Sequence, residues 1–189
     1  MATPEQVAEL KQKMATERAA LIAAAAGLSP RDALRVPVDA EGEEQWTALE
    51  QLAHLLEMER AYDSWVRAAL REDNPDTASV AVEPVAIPVE RANGHTVPEL
   101  LRALELERAY TLGLIEDTPP AALKRTATSP AFGTLTVLQW LRSFYRHDRQ
   151  HTAQIHGRQS DYRPSFVGKE PNQRKARLER IAPQEATDG

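Results

Sequence analysis

Apolar residues recur every three or four positions in four separate segments of the chain, the spacing that gives a helix one buried face. Each segment opens with a threonine that is followed three residues later by glutamine or glutamate, the pattern of an N-terminal capping box. These boxes begin at Thr3, Thr47, Thr96 and Thr136. The pattern predicts four helices, over residues 4–26, 47–71, 96–117 and 136–158.

The segments between the helices differ in length and composition. Residues 31–45 are predicted to be mainly loop, after a short turn that starts at Ser29. Residues 73–95 contain three prolines with valine and alanine between them, which predicts an extended connection rather than a pair of strands. Two prolines end the third helix, and the segment up to Leu135 is predicted to be loop, with a helical turn near residues 121–123.

Four helices of about 20 residues each favour an all-α fold, a four-helix bundle formed by residues 1–158. A helix of that length spans about 30 Å, which roughly nine extended residues can cross. The connection from the second helix to the third has about 24 residues, so it can return along the whole bundle. We therefore predict an up-down-down-up order with a long 2–3 crossover loop and antiparallel second and fourth helices. Residues 159–189 are predicted to form a polar C-terminal tail, with a short helix near residues 172–181.

Two histidines of the predicted fourth helix are candidates for a buried site. His147 and His151 lie four residues apart and therefore share one helix face. The same face carries the large apolar residues Trp140, Phe144 and Ile155. A buried imidazole needs a hydrogen-bond partner or a metal ion, so this pair raises the question of a metal site.

A third histidine can reach the same place. His54 of the second helix shares its direction with Met58 and Trp65 and is also predicted to point inward. Antiparallel packing aligns the start of the second helix with the end of the fourth. His54 lies seven residues after the start of its helix, and His151 lies seven residues before the predicted end of its own. The three histidines can therefore converge near one end of the bundle.

Three neutral imidazoles form a facial ligand set for a divalent ion such as zinc, nickel, iron or manganese, and they leave positions open for water or substrate. The sequence contains no Glu-x-x-His of a carboxylate-bridged di-iron bundle, no His-Glu-x-x-His, no Gly-x-Ser-x-Gly and no P-loop. From spacing alone, ordinary core or surface histidines are an equal alternative. The other two histidines, His95 and His156, are predicted to lie at the surface.

Four further polar residues have two interpretations each. Asp148 and Gln154 flank the helix-4 histidines and could orient an imidazole, or they could pair with a nearby arginine. Glu50 and Glu57 flank His54 and could act as bases towards a bound water, although Glu50 has a capping role and both could face solvent. No catalytic residue is assigned from the sequence.

Composition and charge narrow the classes of function. The net charge of −5 gives no overall basic field for nucleic acid or an anionic membrane. The tail is locally basic, but its interspersed acidic residues favour a solvated tail over a segment that binds an anionic partner. The absence of cysteine excludes disulfides and thiolate nucleophiles and suits a reducing compartment. The chain starts without a signal peptide and has no stretch apolar enough for a bilayer, so we expect a cytoplasmic protein.

Three stretches of the sequence resemble the DinB/YfiT superfamily. They are Trp46-Thr-Ala-Leu-Glu-Gln-Leu-Ala-His54-Leu, Phe132-Gly-Thr-Leu-Thr-Val and His147-Asp-Arg-Gln-His151-Thr-Ala-Gln-Ile155. The resemblance covers about residues 1–158. It implies an up-down-down-up bundle and a metal ion bound by His54, His147 and His151.

The resemblance implies several activities. Similar proteins include metal-dependent transferases that use thiols such as bacillithiol or mycothiol, a maleylpyruvate isomerase, and hydrolases. The resemblance also implies a homodimer. One hypothesis is therefore a metal-dependent enzyme, a transferase or hydrolase that activates a thiol or water towards a small-molecule substrate. Because the chain has no cysteine, the thiol would be a low-molecular-weight cofactor. The alternative is a non-catalytic metal-binding or stress-response interaction protein.

Overall fold

Four long helices dominate the computed structural model, which describes residues 3–36, 46–80 and 92–168. They are α1 (Pro4–Ala26), α2 (Ala48–Arg71), α3 (Val97–Asp117) and α4 (Val137–Ile155). All four capping boxes are formed: each N-cap threonine accepts a hydrogen bond from the third helical N–H, while the third side chain accepts one from the threonine N–H. The predicted helix starts are therefore confirmed. The last helix ends at Ile155 rather than Arg158, and Gly157 follows with a left-handed φ of 66°.

The helices pack in the predicted up-down-down-up order. Contacts of Lys11 with Glu116 and of Arg18 with the Leu104 carbonyl show that α1 and α3 are antiparallel. Gln51 meets His151 near one end of the bundle, whereas further along α2 Trp65 meets Trp140 near the start of α4. Helices α2 and α4 are therefore antiparallel. Contacts of Lys13 with Tyr145 and of Arg18 with Asp148 show that α1 and α4 are parallel, which fixes the order. Of the long crossover, the structure describes a 3₁₀ turn, Thr77–Ser79, and residues 92–96, while its centre, 81–91, lies outside the described residues.

The short elements between the long helices agree in part with the prediction. The turn after Ser29 forms as Pro30–Ala33, and the turn near 121–123 forms as Ala122–Lys124. The prediction of loop up to Leu135 is wrong, because two antiparallel strands form there, β1 (Thr126–Ser129) and β2 (Gly133–Thr136). This hairpin is stabilised by contacts with residues distant in the sequence, such as the hydrogen bond from the Thr128 N–H to the Pro75 carbonyl. Such contacts cannot be predicted from the residues of the segment itself.

The hairpin fixes the start of α4. Its last residue, Thr136, is also the N-cap of α4, and the Val137 N–H donates to the carbonyl of Arg125 at 2.8 Å. Gly133, with a φ of 71°, provides the left-handed residue that the connection between the strands requires. The position of α4 along its axis is thereby tied to the hairpin.

The C-terminal segment returns over the hairpin. The Phe166 ring packs on Phe132 with centroids 5.1 Å apart, and the Val167 N–H donates to the Ala131 carbonyl at 2.8 Å. The predicted helix near 172–181 and the basic part of the tail lie outside the described residues. None of the described helices combines the length and apolar character needed to cross a membrane.

A layer of buried polar residues divides the core into two apolar clusters. The cluster near the hairpin is aromatic, with Trp65, Trp140 and Phe144, and the other is aliphatic, with Leu52 and Leu104. Along every long helix, the residues between the two clusters include a buried charged or imidazole side chain. They include Arg18, Glu59, Arg108, His147 and Asp148, and the buried His54 and His151 contact His147. The candidate site lies in this layer.

Candidate metal centre

The structure brings together the three histidines that the sequence singles out. His54 projects from the second turn of α2, and His147 and His151 project from adjacent turns of α4. The Nε2 atom of His147 lies 3.3 Å from Nε2 of His54 and 2.9 Å from Nε2 of His151. One ring nitrogen from each histidine lies within 4.8 Å of the others, and all three side chains are buried.

The spacing of these nitrogens fits a shared divalent ion. Two nitrogens that each lie about 2.1 Å from one ion are about 3.0 Å apart at a right angle and about 3.4 Å apart at the tetrahedral angle. The distances of 2.9 and 3.3 Å from His147 Nε2 match these values. Among the described residues, no carboxylate joins the cluster, so these residues would offer an ion three ligands and leave further positions open.

The surroundings keep the imidazoles in the form that a metal needs. Burial lowers the pKa of His147 to about 3, so its ring is neutral at neutral pH and keeps a lone pair. The Nδ1 of His151 lies 3.3 Å from Oε1 of Gln51, an atom that can only accept, so Nδ1 carries the proton. The Nε2 of His151 is then unprotonated and faces the cluster. A neighbour that fixes the tautomer in this way is a regular feature of histidine metal sites.

Trp46 closes the site on the side of the bundle end. Its indole ring stacks on His151, with centroids 6.2 Å apart, and meets the edge of His54 at 4.7 Å. Trp46 is almost fully buried immediately before the N-cap of α2. The indole thereby packs against two of the three imidazole rings and covers one side of the cluster.

A small cavity reaches the cluster from the opposite side. It has a volume of about 40 Å³, and His54 and His147 form part of its wall. Phe132 of the hairpin connection and Phe166 of the C-terminal segment line the same space. The histidines are thus accessible to a few atoms of a ligand through a passage that the C-terminal segment helps to form.

The other sequence candidates have different outcomes. His95 and His156 are exposed, as predicted. The suggestion that Glu50 and Glu57 face solvent is wrong, because both carboxylates are buried: Glu50 Oε2 accepts from the Thr47 N–H at 2.7 Å, and Glu57 Oε1 accepts from Arg60 at 3.2 Å. These bonds offset part of the free-energy cost of burying the two carboxylates.

Asp148 and Gln154 flank the helix-4 histidines, and the sequence left open whether each orients an imidazole or pairs with an arginine. Asp148 pairs with arginines and not with an imidazole. Gln154 is buried, and its Oε1 has no hydrogen-bond partner within the described ranges.

The sequence interpretation missed the ionic network to which Asp148 belongs. Each long helix contributes one buried charged residue: Arg18, Glu59, Arg108 and Asp148. Arg18 donates from Nε and Nη2 to both oxygens of Asp148, at 3.1 and 3.0 Å, and also bonds Glu59. Arg108 donates to Glu59 at 2.7 Å and to Asp148 at 3.0 Å. The signal was present, because Arg18 falls four residues after Met14 and three before Leu21, on the buried stripe of α1.

The network pairs two arginines with two carboxylates, and one of its members, Asp148, is the chain neighbour of His147. Burial alone would lower the pKa of Arg108, but the charges of Asp148 and Glu59 outweigh it and raise that pKa above its ordinary value. The Arg108 guanidinium therefore stays charged opposite two carboxylates. Asp148 directly follows His147, so the ion pairs hold the turn of α4 that presents this histidine.

Comparison with known proteins agrees with this architecture. Residues 3–155 match the DinB superfamily. The fold is similar to that of YfiT from Bacillus subtilis, described as a probable metal-dependent hydrolase with an unusual four-helix bundle topology. The TM-score is 0.68 at 17% identity, over 83% of this chain and 87% of that one, a likeness of fold alone. No protein of curated function matches. With the family match spanning all four helices, the chain belongs to the DinB superfamily.

Proposed function

We propose that this protein is a metal-dependent enzyme that holds one divalent ion with His54, His147 and His151 and acts on a small molecule. The observation that carries the proposal is the convergence of three buried Nε2 atoms, with separations of 2.9 and 3.3 Å from His147. When bound at such a set, a divalent ion acts as a Lewis acid and lowers the pKa of a water or thiol, which supplies a nucleophile at neutral pH. The description of YfiT as a probable metal-dependent hydrolase supports the same class of chemistry.

The residues around the histidines have distinct roles in this proposal. Gln51 orients His151, and Trp46 shields the cluster on one side. On the open side, Tyr62 and Gln150 are among the residues that line the cavity. The chain has no cysteine, so a thiol nucleophile would come from a low-molecular-weight cofactor. The two reaction types, hydrolysis and thiol transfer, differ in which nucleophile enters the cavity.

The experiment that tests the proposal is metal-dependent turnover. The protein is stripped with a chelator, reloaded separately with zinc, nickel, manganese or ferrous ion, and assayed for hydrolysis of activated esters and for thiol consumption with an electrophile. We expect turnover that returns only on reloading and that is absent from His151→Ala treated in the same way. Metal binding without turnover in either assay would favour the alternative, a non-catalytic metal-binding or stress-response protein.

A conservative change outside the ligand set tests the role of Gln51. We expect Gln51→Leu to lower metal affinity by roughly 10- to 100-fold, because the Nδ1–H of His151 loses its acceptor and the ring is no longer held. Chelator competition measures this affinity. The matched control is Gln154→Leu, another buried glutamine, whose Oε1 has no partner in the part of the chain that the structure describes. Equal metal affinities of the two variants would show that Gln51 does not orient His151 for metal binding.

We also propose a cellular setting and assembly. The absence of cysteine supports a reducing compartment, the cytoplasm, and the family resemblance supports a homodimer. Residues 1–158 are proposed as the bundle domain, with 159–189 as a tail. Sedimentation equilibrium of the full chain measures the assembly state, and a monomer at micromolar concentration would contradict the dimer.

A further inference from the structure

A polar stripe runs along α4 beside the histidine face. Its members are Gln139, Ser143, Arg146 and Gln150, and the steps of four, three and four residues place them on one side of the helix. All four line cavities next to the histidines. Ser143, Arg146 and Gln150 are partly or fully buried there, whereas Gln139 is exposed and its Oε1 accepts from the Thr136 N–H in the α4 cap. The three buried or half-buried members are therefore the candidates to contact a ligand.

Two neighbouring compartments form a cleft beside this stripe. The inner one, about 40 Å³, is bounded by His54 and His147. The outer one, about 350 Å³, shares wall residues with it, among them Tyr62, Phe132 and Tyr162. The outer volume is within the range of small-molecule sites, whereas the inner one admits only a few atoms. A ligand would therefore place its body outside and its reacting end against the histidines.

Four aromatic residues contribute to the walls of the outer compartment: Tyr62, Phe132, Trp140 and Tyr162. Trp140 lies behind Phe132, with ring centroids 5.8 Å apart in an edge-to-face arrangement. Tyr62 packs on the other side of Trp140 at 5.8 Å, and Tyr162 of the C-terminal segment lines the same space. Flat aromatic walls favour a planar or apolar ligand body.

The charged groups of this compartment are all positive. Arg146 and Arg163 line it, and no carboxylate does so among the described residues. Neither guanidinium takes part in an ion pair within the described ranges. Arg146 is partly buried and lies over the rings of Tyr162 and Tyr145, at 5.7 and 5.9 Å, which hold it in place. A positioned cation without a carboxylate partner is suited to bind an anion.

We propose that this compartment binds an organic anion, a small molecule with a planar apolar body and a carboxylate that pairs with Arg146. The apolar body lies between Phe132 and Tyr162, and the opposite end of the molecule extends towards His54 and His147. This inference rests on the proposed function only in naming that end as the reacting one. Anion binding itself depends on Arg146 and the aromatic walls, not on a metal ion.

The test compares three probes of one shape and different charge: 3-phenylpropanoate, 3-phenylpropanol and 3-phenylpropylamine. Each is titrated into the full-length protein by calorimetry, with and without added zinc. Hydrogen bonds to charged groups contribute enough for about a 10- to 100-fold preference, so we expect the carboxylate to bind at least about 10-fold tighter than the alcohol, and the amine weakest. In Arg146→Gln this preference is lost, and in Arg146→Lys part of it remains.

The matched control is Arg142→Gln. Arg142 lies one turn earlier on α4, within electrostatic reach of Glu9 in α1, and lines neither compartment. We expect this variant to keep the preference of the wild type. Equal binding of the three probes, or an unchanged preference in Arg146→Gln, would overturn the inference. Metal content is measured on the same samples, so a chain that prefers the carboxylate but binds no metal contradicts the proposed function and leaves anion binding intact.

Discussion

Glu59→Gln is expected to destabilise the bundle by about 3–5 kcal/mol, the cost of breaking a buried ion pair by removing one partner. Glu59 is 3% exposed and accepts hydrogen bonds from Arg18, Arg108 and Thr111. The substitution keeps the shape of the side chain but leaves two buried guanidinium groups opposite the single carboxylate of Asp148. Urea unfolding followed by circular dichroism at 222 nm gives the free energy of unfolding.

Two further variants show whether the loss of stability comes from the burial of the carboxylate and from the charge that is left unpaired. Glu116→Gln removes a carboxylate that also joins α1 to α3, through Lys11, but at the exposed surface, so we expect little measurable change. The double variant Glu59→Met with Arg108→Met leaves Arg18 paired with Asp148 and restores neutrality. Its loss of stability should be clearly smaller than the sum of the two single losses. Strictly additive losses would contradict a coupled network.

His147→Ala is expected to weaken binding of a divalent ion by more than about 100-fold, beyond the effect of losing a residue that only orients a ligand. His147 is the central member of the set, because its Nε2 is the atom that lies close to the other two. Alanine removes that nitrogen and leaves two ligands that belong to different helices. Elemental analysis of the purified protein, followed by chelator competition, measures the loss.

The matched control for this change is His156→Ala. His156 follows the last residue of α4 and is exposed, so its loss should leave metal content unchanged. Circular dichroism establishes that both variants are folded. Metal content in folded His147→Ala equal to that of the wild type would rule out the three-histidine centre.

Much of the fold could be predicted because its signals are local. A capping box needs only a threonine and the residue three places later, and all four predicted boxes form. The inward direction of His54, His147 and His151 follows from helical periodicity, and their equal depth follows from antiparallel packing. The length of the crossover allows the second and third helices to run parallel, and the family resemblance implies the same order.

The features that the sequence did not disclose depend on distant partners. The strands of the hairpin have four residues each, with Ala127 as their one fully buried apolar residue, too few for a periodic signal. The burial of Glu50 and Glu57 depends on how other elements pack over them. The position of Arg18 on the apolar face of α1 could have suggested that it is buried. Its partners Glu59 and Asp148, however, lie 41 and 130 positions away in the sequence. Only the assembled bundle identifies them.

The connectivity of the centre has a consequence for the order of folding. His54 and His147 are 93 positions apart, Gln51 and His151 are 100 apart, and Arg18 and Asp148 are 130 apart. Contacts over such separations form after local ones, because closing a long loop carries a large entropic cost. During synthesis, the first three helices emerge before α4 exists. The ion pairs and the three-histidine cluster therefore assemble together when α4 docks. Under the proposed function, a divalent ion would bind all three histidines only in the chain whose folding is complete.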